Sequence, residues 1–412
     1  MRNENQEQAI AKLSRLKVGA LFMEMGTGKT RVALDLIASK VHKVDMVLWI
    51  CPFSLKQEIE NEVEKWHPHL ELNVVGCESI GASDRIFMEL LEKVQTKKAF
   101  IVVDESLKIK NIYAKRTRRI IELGDHAQYK LILNGTPVSK NILDLWTQME
   151  FLSPKILNMT YNEFRDSYCE YYTSGRLKGL VRKQHNVPHL IAKIEPYIFD
   201  CELDIDTKKV HYVEHYWLDD RQAYEEYKNE LLYEYLIGED DFNFKAYSIK
   251  LQKWYVMNSN RDDMLRMLLD RIDDRVIVFV KYLDSIPYDA MSITGSKTAL
   301  ERKQTIKDFK DNKFKILYIT YGCGSFGFNL QFCKNMVFAE QTWDYAQRIQ
   351  SEARIYRIGQ GSNVNYYDFL CEGVGLEEMI QRCLNKKVSL LDEMKLEIER
   401  TSGGVKEWLK NI

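Results

Sequence analysis

The chain has 412 residues, which is too long for one ordinary hydrophobic core, so two or three domains are expected. Hydrophobic residues make up 45% and charged residues 29% of it, a balance that is typical of globular proteins and excludes a disordered or fibrous chain. The formal net charge of −1 gives no global attraction to a polyanion, so a nucleic-acid contact would have to come from local basic clusters.

Cysteine placement and hydropathy bound the compartment. Eight cysteines are scattered along the chain without a Cys-x-x-Cys pair, which argues against a zinc site and suits reduced intracellular thiols. The sequence has neither a signal-peptide pattern nor an apolar run of about 18 residues. We therefore expect a cytoplasmic protein without a membrane-spanning segment.

The clearest local signal is a glycine turn that links an apolar run to a helical pattern. The run Ala20-Leu21-Phe22 predicts a strand, and Val32 to Ile37 has the apolar spacing of a helix. The turn between them is Met25-Gly26-Thr27-Gly28-Lys29-Thr30. Strand, glycine turn and helix in this order predict a site for the phosphate tail of a nucleotide.

The residue types in the turn explain this prediction. Gly26 and Gly28 let backbone N–H groups approach phosphate oxygens. Lys29 adds a point charge at the helix N-terminus, and the Thr30 hydroxyl is placed to ligate Mg²⁺. The strict phosphate-loop pattern has a glycine five places before Gly28, where this chain has Met23, so the match is incomplete.

Two further features belong to the same lobe. Gln6, upstream of the turn, either hydrogen-bonds the adenine edge or is an ordinary helix-surface residue. Met46 to Ile50 predicts the next strand, which Pro52 ends. Because ligands of parallel sheets bind beyond the carboxyl ends of the strands, the loop from Pro52 to Ser54 is expected at the working edge.

A continuous apolar strand ends in two carboxylates. Ala99 to Val103 has the pattern of a central parallel strand, and Asp104-Glu105 follow it directly. Asp104 is suited to hold Mg²⁺ through water, and Glu105 to orient and deprotonate an attacking water. The alternative is a helix N-cap with a dipole-favoured acid, but the phosphate loop upstream favours the catalytic interpretation.

A one-sided basic cluster comes next in the chain. No acidic residue interrupts it, and it is either a solvated surface or a contact for a nucleic-acid backbone. Its members are Lys108, Lys110, Lys115, Arg116, Arg118 and Arg119. Leu131 to Asn134 then predicts another strand, closed by the turn Gly135-Thr136-Pro137 at the same edge.

The remainder of the chain sets the domain organisation. The middle segment is rich in Tyr, Glu and Lys and predicts mostly helices, whereas a second α/β pattern starts at Arg275. Its strand candidates are Val276–Val280, Ile316–Ile319, Met336–Ala339 and Val364–Leu370. Apolar residues at helical spacing up to Ile398 predict C-terminal bracing helices. The expected fold is α/β, with domains 1–154, 155–270, 271–372 and 373–412.

The second α/β pattern carries a pair of arginines, Arg354 and Arg357. Three residues apart on a helix, they would share one face. Two guanidinium forks on one face suit the spread charge of a transferring γ-phosphoryl group. The alternative for an isolated Arg-x-x-Arg is an exposed basic helix.

Together these motifs resemble those of superfamily-two helicases, specifically the Swi/Snf-type double-stranded DNA translocases. The resemblance rests on the phosphate loop, on Asp104-Glu105 with Lys108-Ile109-Lys110-Asn111, and on Arg354-Ile355-Tyr356-Arg357-Ile358-Gly359-Gln360. Further matches are Cys51-Pro52-Phe53-Ser54-Leu55, Leu133-Asn134-Gly135-Thr136-Pro137 and Phe151-Leu152-Ser153-Pro154. It covers nearly the whole chain except about 155–270.

The resemblance implies two RecA-like parallel-sheet lobes with a helical insertion between them, and an ATPase that uses ATP and Mg²⁺ to move along DNA. It implies that Arg354 and Arg357 act as arginine fingers when the lobes close. The implied catalytic set is Lys29, Asp104, Glu105, Arg354 and Arg357, and Gly327 and Gln350 are implied nucleotide contacts. The implied nucleic-acid contacts are Pro52, Ser54, Lys108, Lys110, Asn111, Gly135, Thr136, Gly295, Thr320, Gly324, Asn329 and Trp343.

Two segments depart from the family pattern. The family usually has Asp-Glu-Ala-His, and this chain has Ser106-Leu107 in the last two places, so the coupling of hydrolysis to the Gly135-Thr136-Pro137 turn is expected to differ. Tyr197-Ile198-Phe199-Asp200 stands where the family often has an arginine-rich turn.

The sequence leaves alternatives to duplex translocation open. One is a strand-separating or branch-migration helicase on forked DNA or RNA. A second is a non-motor module whose ATP site regulates nucleic-acid binding, and a third is an ATPase that needs an activating protein instead of DNA. The short architecture is similar to virus- or bacterium-encoded members, an analogy that suggests work in replication, recombination or defence with protein partners from that machinery.

Overall fold

The computed structural model describes residues 2–135, 138, 142–171, 181–237, 244–324 and 328–386. Thr136 and Gly327, both predicted site residues, lie outside the described residues, as does the predicted C-terminal helical segment beyond residue 386. The chain folds as two units, Met1–Asp204 and Ile205–Ile412. No helix within the described ranges combines the length and apolar composition needed to cross a bilayer.

The first unit is built on a six-stranded parallel sheet with the strand order β3-β2-β4-β5-β1-β8. Its strands are β1 Val18–Met23, β2 Met46–Cys51, β3 Asn73–Gly76, β4 Ala99–Asp104, β5 Tyr129–Leu133 and β8 Ile198–Cys201, and a small antiparallel pair is formed by β6 Cys169–Tyr171 and β7 Val181–Gln184. Its helices are α1 Glu4–Leu13, α2 Lys29–Ala38, α3 Lys56–Trp66, α4 Cys77–Ala82, α5 Asp84–Thr96, α6 Lys115–Asp125, α7 Trp146–Leu152, α8 Pro154–Leu157, α9 Tyr161–Tyr168 and α10 Val187–Ile194. Short 3₁₀ turns are Val41–Lys43, Phe53–Leu55, Ser106–Ile109, Ile142–Leu145 and Glu195–Tyr197.

The second unit has its own six-stranded parallel sheet with the order β11-β12-β10-β13-β14-β9. Its strands are β9 Lys209–Tyr216, β10 Val276–Val280, β11 Ser292–Ile293, β12 Ile316–Thr320, β13 Asn335–Phe338 and β14 Val364–Cys371. Its helices are α11 Arg221–Ile237, α12 Phe244–Met257, α13 Arg261–Arg271, α14 Ala299–Lys310, α15 Tyr321–Gly324, α16 Tyr345–Glu352 and α17 Gly375–Lys386, with a 3₁₀ turn at Leu283–Ser285.

Burial on both faces explains why the central strands are continuous apolar runs. Every residue of β4 is buried, and alternate residues of it enter two separate cores, one on each face of the sheet. In the second unit β10 divides in the same way, with Val276 and Val278 in one core and Ile277 and Phe279 in the other. The expected α/β fold with two RecA-like parallel-sheet lobes is confirmed.

The middle of the chain differs from the mostly helical segment expected over 155–270. Helices α11, α12 and α13 are present, but β8 pairs with β1 in the first sheet and β9 pairs with β14 in the second. The two units meet in sequence between residues 204 and 205, within the expected insertion. The hydrophobic pattern of the sequence does not reveal these two strands, because β8 has only four residues and the residues of β9 are mostly exposed.

Candidate nucleotide site and nucleic-acid surface

Three neighbouring strands bring the predicted catalytic groups of the first unit to one edge. Strands β1, β5 and β4 are parallel, and Leu133 of β5 pairs with both Leu21 of β1 and Asp104 of β4. Because their carboxyl ends meet, the glycine turn after β1, the carboxylates after β4 and Gly135 after β5 are adjacent. The predicted cluster at the carboxyl edge is therefore present.

The glycine turn has the backbone that a phosphate loop requires. Gly26 and Gly28 have φ angles of +83° and +86°, a region that residues with a Cβ rarely adopt. Thr27 is buried, and its hydroxyl donates to the Glu24 carbonyl at 2.7 Å. Helix α2 begins at Lys29, so the lysine and the helix N-terminus are together at the turn.

The Gln6 side chain hydrogen-bonds the backbone of this turn. Its Nε2 donates to the Thr27 carbonyl at 2.9 Å, and its Oε1 accepts the Asn3 N–H within an N-terminal capping box of α1. A Cβ on Gly28 would lie 2.4 Å from that Nε2 and would displace the Gln6 amide, and the φ of +86° also favours glycine there. The structure thus places Gln6 against the loop backbone, and the adenine contact stays a prediction.

The two carboxylates occupy different environments. Asp104 is buried at the end of β4, and its Oδ1 accepts the Glu105 N–H at 2.9 Å. Burial, reinforced by the Glu105 charge and opposed by Lys29, raises the pKa of Asp104 to about 7. Glu105 is only partly buried and has φ +51°, a left-handed conformation that is strained for a non-glycine residue. Such strain is commonly found at functional sites.

The carboxyl edge suits Mg²⁺, which proteins bind through one or two carboxylates together with phosphate oxygens and water. Asp104 is the buried carboxylate there, and Thr30 lies in the first turn of α2. Within the described ranges no group of three or more His, Cys, Asp or Glu residues forms a metal cage. The Asp104 carboxylate and the Thr30 hydroxyl fit a cation that also binds phosphate oxygens.

Ser106, a departure from the family pattern, links the carboxyl ends of β4 and β5 to α7. It is fully buried, and its hydroxyl donates to Gln148 Oε1 at 2.6 Å. Asn134, which precedes Gly135, donates its side-chain Nδ2 to the same hydroxyl at 3.4 Å. The segment after Glu105 is therefore bonded to the segment before Gly135 without the histidine that the family usually has.

Exchange of Glu105 for Gln should preserve nucleotide binding and slow hydrolysis by about 10² to 10⁴, the range for loss of a general base. The amide keeps the size of the side chain but cannot accept a proton from water. We would measure nucleotide affinity by equilibrium titration and turnover by phosphate release. Wild-type turnover with unchanged affinity would remove Glu105 from the water-activating role.

The basic cluster of the first unit is divided by Asp84. Its carboxylate pairs with Lys115 at 2.9 Å and with Arg119, whose guanidinium also donates to the Ile80 carbonyl at 2.8 Å. Arg119 is buried and serves the fold, whereas Lys108 and Arg118 are exposed. Arg119 is therefore not available to contact a nucleic-acid backbone, whereas Lys108 and Arg118 remain candidates for such a contact.

The other predicted nucleic-acid contacts of the first unit differ in exposure. Asn111 is exposed, Lys110 and Ser54 are partly buried, and Pro52 is buried. Gly135 is partly buried at the edge, and a Cβ on it would lie 3.5 Å from Lys29 Nζ. Gly135 therefore sits beside the phosphate-loop lysine, and its contact with nucleic acid stays a prediction.

In the second unit, Gly295 and Trp343 follow the carboxyl ends of β11 and β13, and Thr320 is the buried last residue of β12. Gly295 is exposed, and Arg302 donates to its carbonyl at 3.1 Å. The Trp343 ring covers Lys281, whose Nζ lies 3.3 Å from the ring centroid, and burial lowers the pKa of that lysine to about 7. Gly324 ends α15, and Asn329 is exposed.

The helix that carries the arginine pair ends earlier than predicted. Gln350 is on α16, but α16 stops at Glu352, so Arg354 and Arg357 lie in the turns that follow it. The expectation that the two arginines share a helix face is wrong. After α16 the Arg354 N–H donates to the Ser351 carbonyl at 3.1 Å, an i→i+3 bond that tightens the chain into a turn, and the Tyr366 hydroxyl donates to the Glu352 carbonyl at 2.9 Å.

Contacts place the arginine turn near the amino ends of strands. The Arg354 carbonyl accepts the Leu330 N–H at 3.1 Å, and Gln360 donates to the Cys333 carbonyl just before β13. The Tyr356 hydroxyl donates to the Thr207 carbonyl just before β9. The structure therefore joins the arginine turn to Leu330, which directly follows Asn329.

A third arginine of this region, Arg348, is structural. It is buried on α16, pairs with Glu352 at 2.8 Å and Asp368 at 2.5 Å, and stacks on Phe338 with Cζ 3.4 Å from the ring centroid. These carboxylates outweigh burial and raise the pKa of Arg348. Its charge is thus committed to the fold.

Exchange of Arg348 for Met should lower the free energy of unfolding of the second unit by about 3 kcal/mol, because two buried carboxylates lose their cation. Urea unfolding followed by circular dichroism measures this change. Arg266→Met, at an exposed position of α13, is the control and should cost less than about 0.5 kcal/mol. Equal effects of the two exchanges would contradict the structural role.

Sequence reasoning missed several residues near the site. Glu24 accepts the Leu203 N–H at 2.8 Å, and the rings of Phe53 and Tyr113 are strongly exposed beside the carboxyl edge. The Ser106 bridge was also missed. The sequence signal for Ser106 was its departure from the family pattern, whereas exposure and long-range hydrogen bonds leave no mark on a single sequence.

Two family models match the chain. A model described as an SNF2-related domain matches residues 85–201, and one described as a helicase conserved C-terminal domain matches residues 259–359. The first match includes the paired carboxylates and the basic cluster, and the second includes most of the second sheet and the arginine turn. Together the two matches span more than half of the chain.

Relatives with similar sequences are longer proteins. The TATA-binding protein-associated factor MOT1 of Saccharomyces cerevisiae is 24% identical over 90% of this chain and 26% of its own length. An uncharacterized ATP-dependent helicase of Mycoplasma pneumoniae is 25% identical over 96% of this chain and 42% of its own length. The solved SWI2/SNF2 ATPase core of Sulfolobus solfataricus with dsDNA is 22% identical, with a TM-score of 0.43 over 100% of this chain and 97% of that chain. The chain thus spans about a quarter to two fifths of the length of these curated relatives.

Proposed function

Because the chain belongs to the SNF2-related family of helicases, we propose that it is a DNA-dependent ATPase that translocates along double-stranded DNA. The observation that carries this proposal is the carboxyl edge of the first sheet. There a buried Asp104 and a strained Glu105 lie beside the phosphate loop that begins α2. A structural acid pair has no need of this backbone strain or of a neighbouring phosphate-loop lysine.

The first unit supplies most of the proposed chemistry. Backbone N–H groups of Gly26 and Gly28 together with Lys29 hold the phosphate tail of ATP, and Glu105 orients and deprotonates the water. Asp104 and Thr30 would hold Mg²⁺, which neutralises charge on the phosphates when bound. The left-handed backbone of Glu105 fixes where its carboxylate points, so the strain serves the orientation of water.

The second unit contributes positive charge to the transition state in this proposal. Arg354 and Arg357 act as arginine fingers, and they project from turns rather than from a helix face. Arg348 is excluded from this role by its two carboxylate partners. Gln350 and Gly327 remain proposed nucleotide contacts.

Nucleic acid is gripped mainly by its backbone in this proposal. Lys108, Lys115 and Arg118 are exposed cations of the basic cluster, and Lys115 is paired with Asp84. In the second unit the exposed Gly295 and Asn329 lie in loops that offer donors, and Thr320 stays a proposed contact. Such contacts give little base readout and a marked salt dependence. DNA remodelling in replication, recombination or defence, with protein partners, is the biological setting that we propose.

Steady-state ATP hydrolysis tests the function most directly. We would compare no nucleic acid, single-stranded DNA, blunt duplex DNA, forked duplex and RNA at one salt concentration. Strong stimulation by blunt duplex supports the duplex translocase. A response limited to forks or single strands supports a strand-separating or branch-migration helicase, and hydrolysis that ignores every nucleic acid contradicts the motor.

A further inference from the structure

Two aromatic side chains stand exposed beside the carboxyl edge of the first sheet. Phe53 is 65% exposed in the 3₁₀ turn after β2. Tyr113 is 74% exposed in the loop that connects the 3₁₀ turn Ser106–Ile109 to α6. Strands β2 and β4 are parallel neighbours. Both rings therefore follow the carboxyl ends of adjacent strands, where ligands of such sheets bind.

Helix α4 contacts both the 3₁₀ turn that holds Phe53 and α6, which begins two residues after Tyr113. Glu78 of α4 accepts the Phe53 N–H at 2.9 Å. Burial raises the pKa of Glu78, but backbone hydrogen bonds and the nearby Lys108 charge lower it further, so the carboxylate stays charged. On the other side, Arg118 donates to the Tyr113 carbonyl at 3.0 Å. We call Phe53, Lys108, Tyr113 and Arg118 the aromatic-basic surface.

Neighbouring residues pack against both rings and restrict their movement. Tyr113 meets Tyr161 edge to face at 6.5 Å, and Tyr161 meets the buried Trp146 in the same way at 5.5 Å. Phe53 packs at its base against Gly76, where a Cβ would lie 3.1 Å from the ring. Little ordering entropy is therefore lost when a flat ligand covers the exposed parts of the rings.

The charge around the rings selects the ligand. From Lys108 to Arg119 the sequence holds no acidic residue, and Lys108 and Arg118 are exposed. Aromatic platforms interleaved with cations bind single-stranded nucleic acid, because bases stack on the rings while the cations track the phosphates. A protein partner could also cover the exposed aromatic rings, but its surface would have to be strongly acidic to match Lys108 and Arg118.

We propose that the aromatic-basic surface binds unpaired bases of DNA, so that the enzyme prefers duplexes that carry a single-stranded segment. This inference rests on the proposed function and adds a second determinant to backbone grip. Bases inside a duplex are stacked on one another and have no free face. The surface therefore acts only where a strand is unpaired, as at a tail, gap or fork.

Equilibrium binding to a blunt duplex and to the same duplex with a single-stranded tail tests the proposal. Phe53→Leu with Tyr113→Leu keeps apolar bulk but removes both rings, and it should weaken binding to tailed DNA about tenfold or more while binding to blunt duplex changes less than about twofold. The swap variant Phe53→Tyr with Tyr113→Phe keeps both rings and should retain the preference. Both positions are exposed, so the fold should tolerate the exchanges.

A fluorescent adenine analogue placed in the tail gives a second readout. Wild type and the swap variant should alter its emission by stacking, and the leucine variant should not. Equal loss of affinity for both DNAs would indicate a backbone contact and overturn the proposal, as would unchanged tail binding by the leucine variant. These outcomes leave stimulation of wild-type ATPase by blunt duplex untouched, so failure of this inference is distinguishable from failure of the translocase.

Discussion

Exchange of Lys29 for Ala should reduce ATP hydrolysis to background, with and without DNA. Lys29 begins α2 directly after Gly28, so its charge is located where the phosphate tail is expected. Removal of the ammonium group takes away a charge-assisted contact to the transferring phosphate, and each 1.4 kcal/mol lost corresponds to about tenfold in rate. Phosphate release at saturating ATP and DNA measures the effect.

The control for this exchange is Lys43→Ala, an exposed lysine of the same unit outside the sheet edge. It should hydrolyse ATP at the wild-type rate. Thermal unfolding of both variants separates lost chemistry from lost structure. Normal turnover by the Lys29 variant would refute the phosphate-loop assignment, since no other described lysine begins a helix directly after a left-handed glycine.

Exchange of Arg357 for Ala should leave nucleotide binding intact and lower kcat by about 10³ or more, the scale of an arginine finger. The elements that bind the phosphate tail in our proposal are all in the first unit, so affinity has no reason to fall. Single-turnover hydrolysis together with nucleotide titration separates the two effects. Arg357→Lys keeps the charge but not the fork and should recover only a small part of the rate.

Arg266→Ala, at an exposed position of α13, is the matched control for a lost surface guanidinium and should keep the wild-type kcat. Arg354→Ala, alone and combined with Arg357→Ala, tests whether the pair acts as a unit. If it does, the loss of kcat in the double variant is much smaller than the product of the two single losses. An unchanged kcat in the Arg357 variant would mean that the second unit is misassigned in hydrolysis.

Elements buried on both faces could be predicted from the sequence almost to the residue. The run Val276–Val280 is strand β10 as expected, and Ala99–Val103 gains only Asp104 in β4. Such strands must be apolar throughout, so their pattern is local and visible. The first-unit cluster followed for the same reason, because parallel strands align the residues at their carboxyl ends.

Features that depend on distant partners could not be predicted. The chain after α16 tightens into a turn whose Arg354 carbonyl accepts the Leu330 N–H from a distant segment, and a helical period continues through the arginine pair without marking the stop. Strand β8 has four residues and forms because β1 offers a free edge beside it. The exposure of Phe53 and Tyr113 is likewise a property of the folded surface rather than of the sequence pattern.

The position of β8 bears on how the first unit can be produced as a separate fragment. A fragment that stops at residue 154 would omit β8 and leave β1 as a bare sheet edge, with unpaired backbone groups next to the phosphate loop. It would also lose the Leu203 N–H that Glu24 accepts and the Cys201 carbonyl that accepts the Glu24 N–H. Recombinant boundaries chosen at residue 204 keep this edge covered, and those chosen at 154 invite self-association through β1.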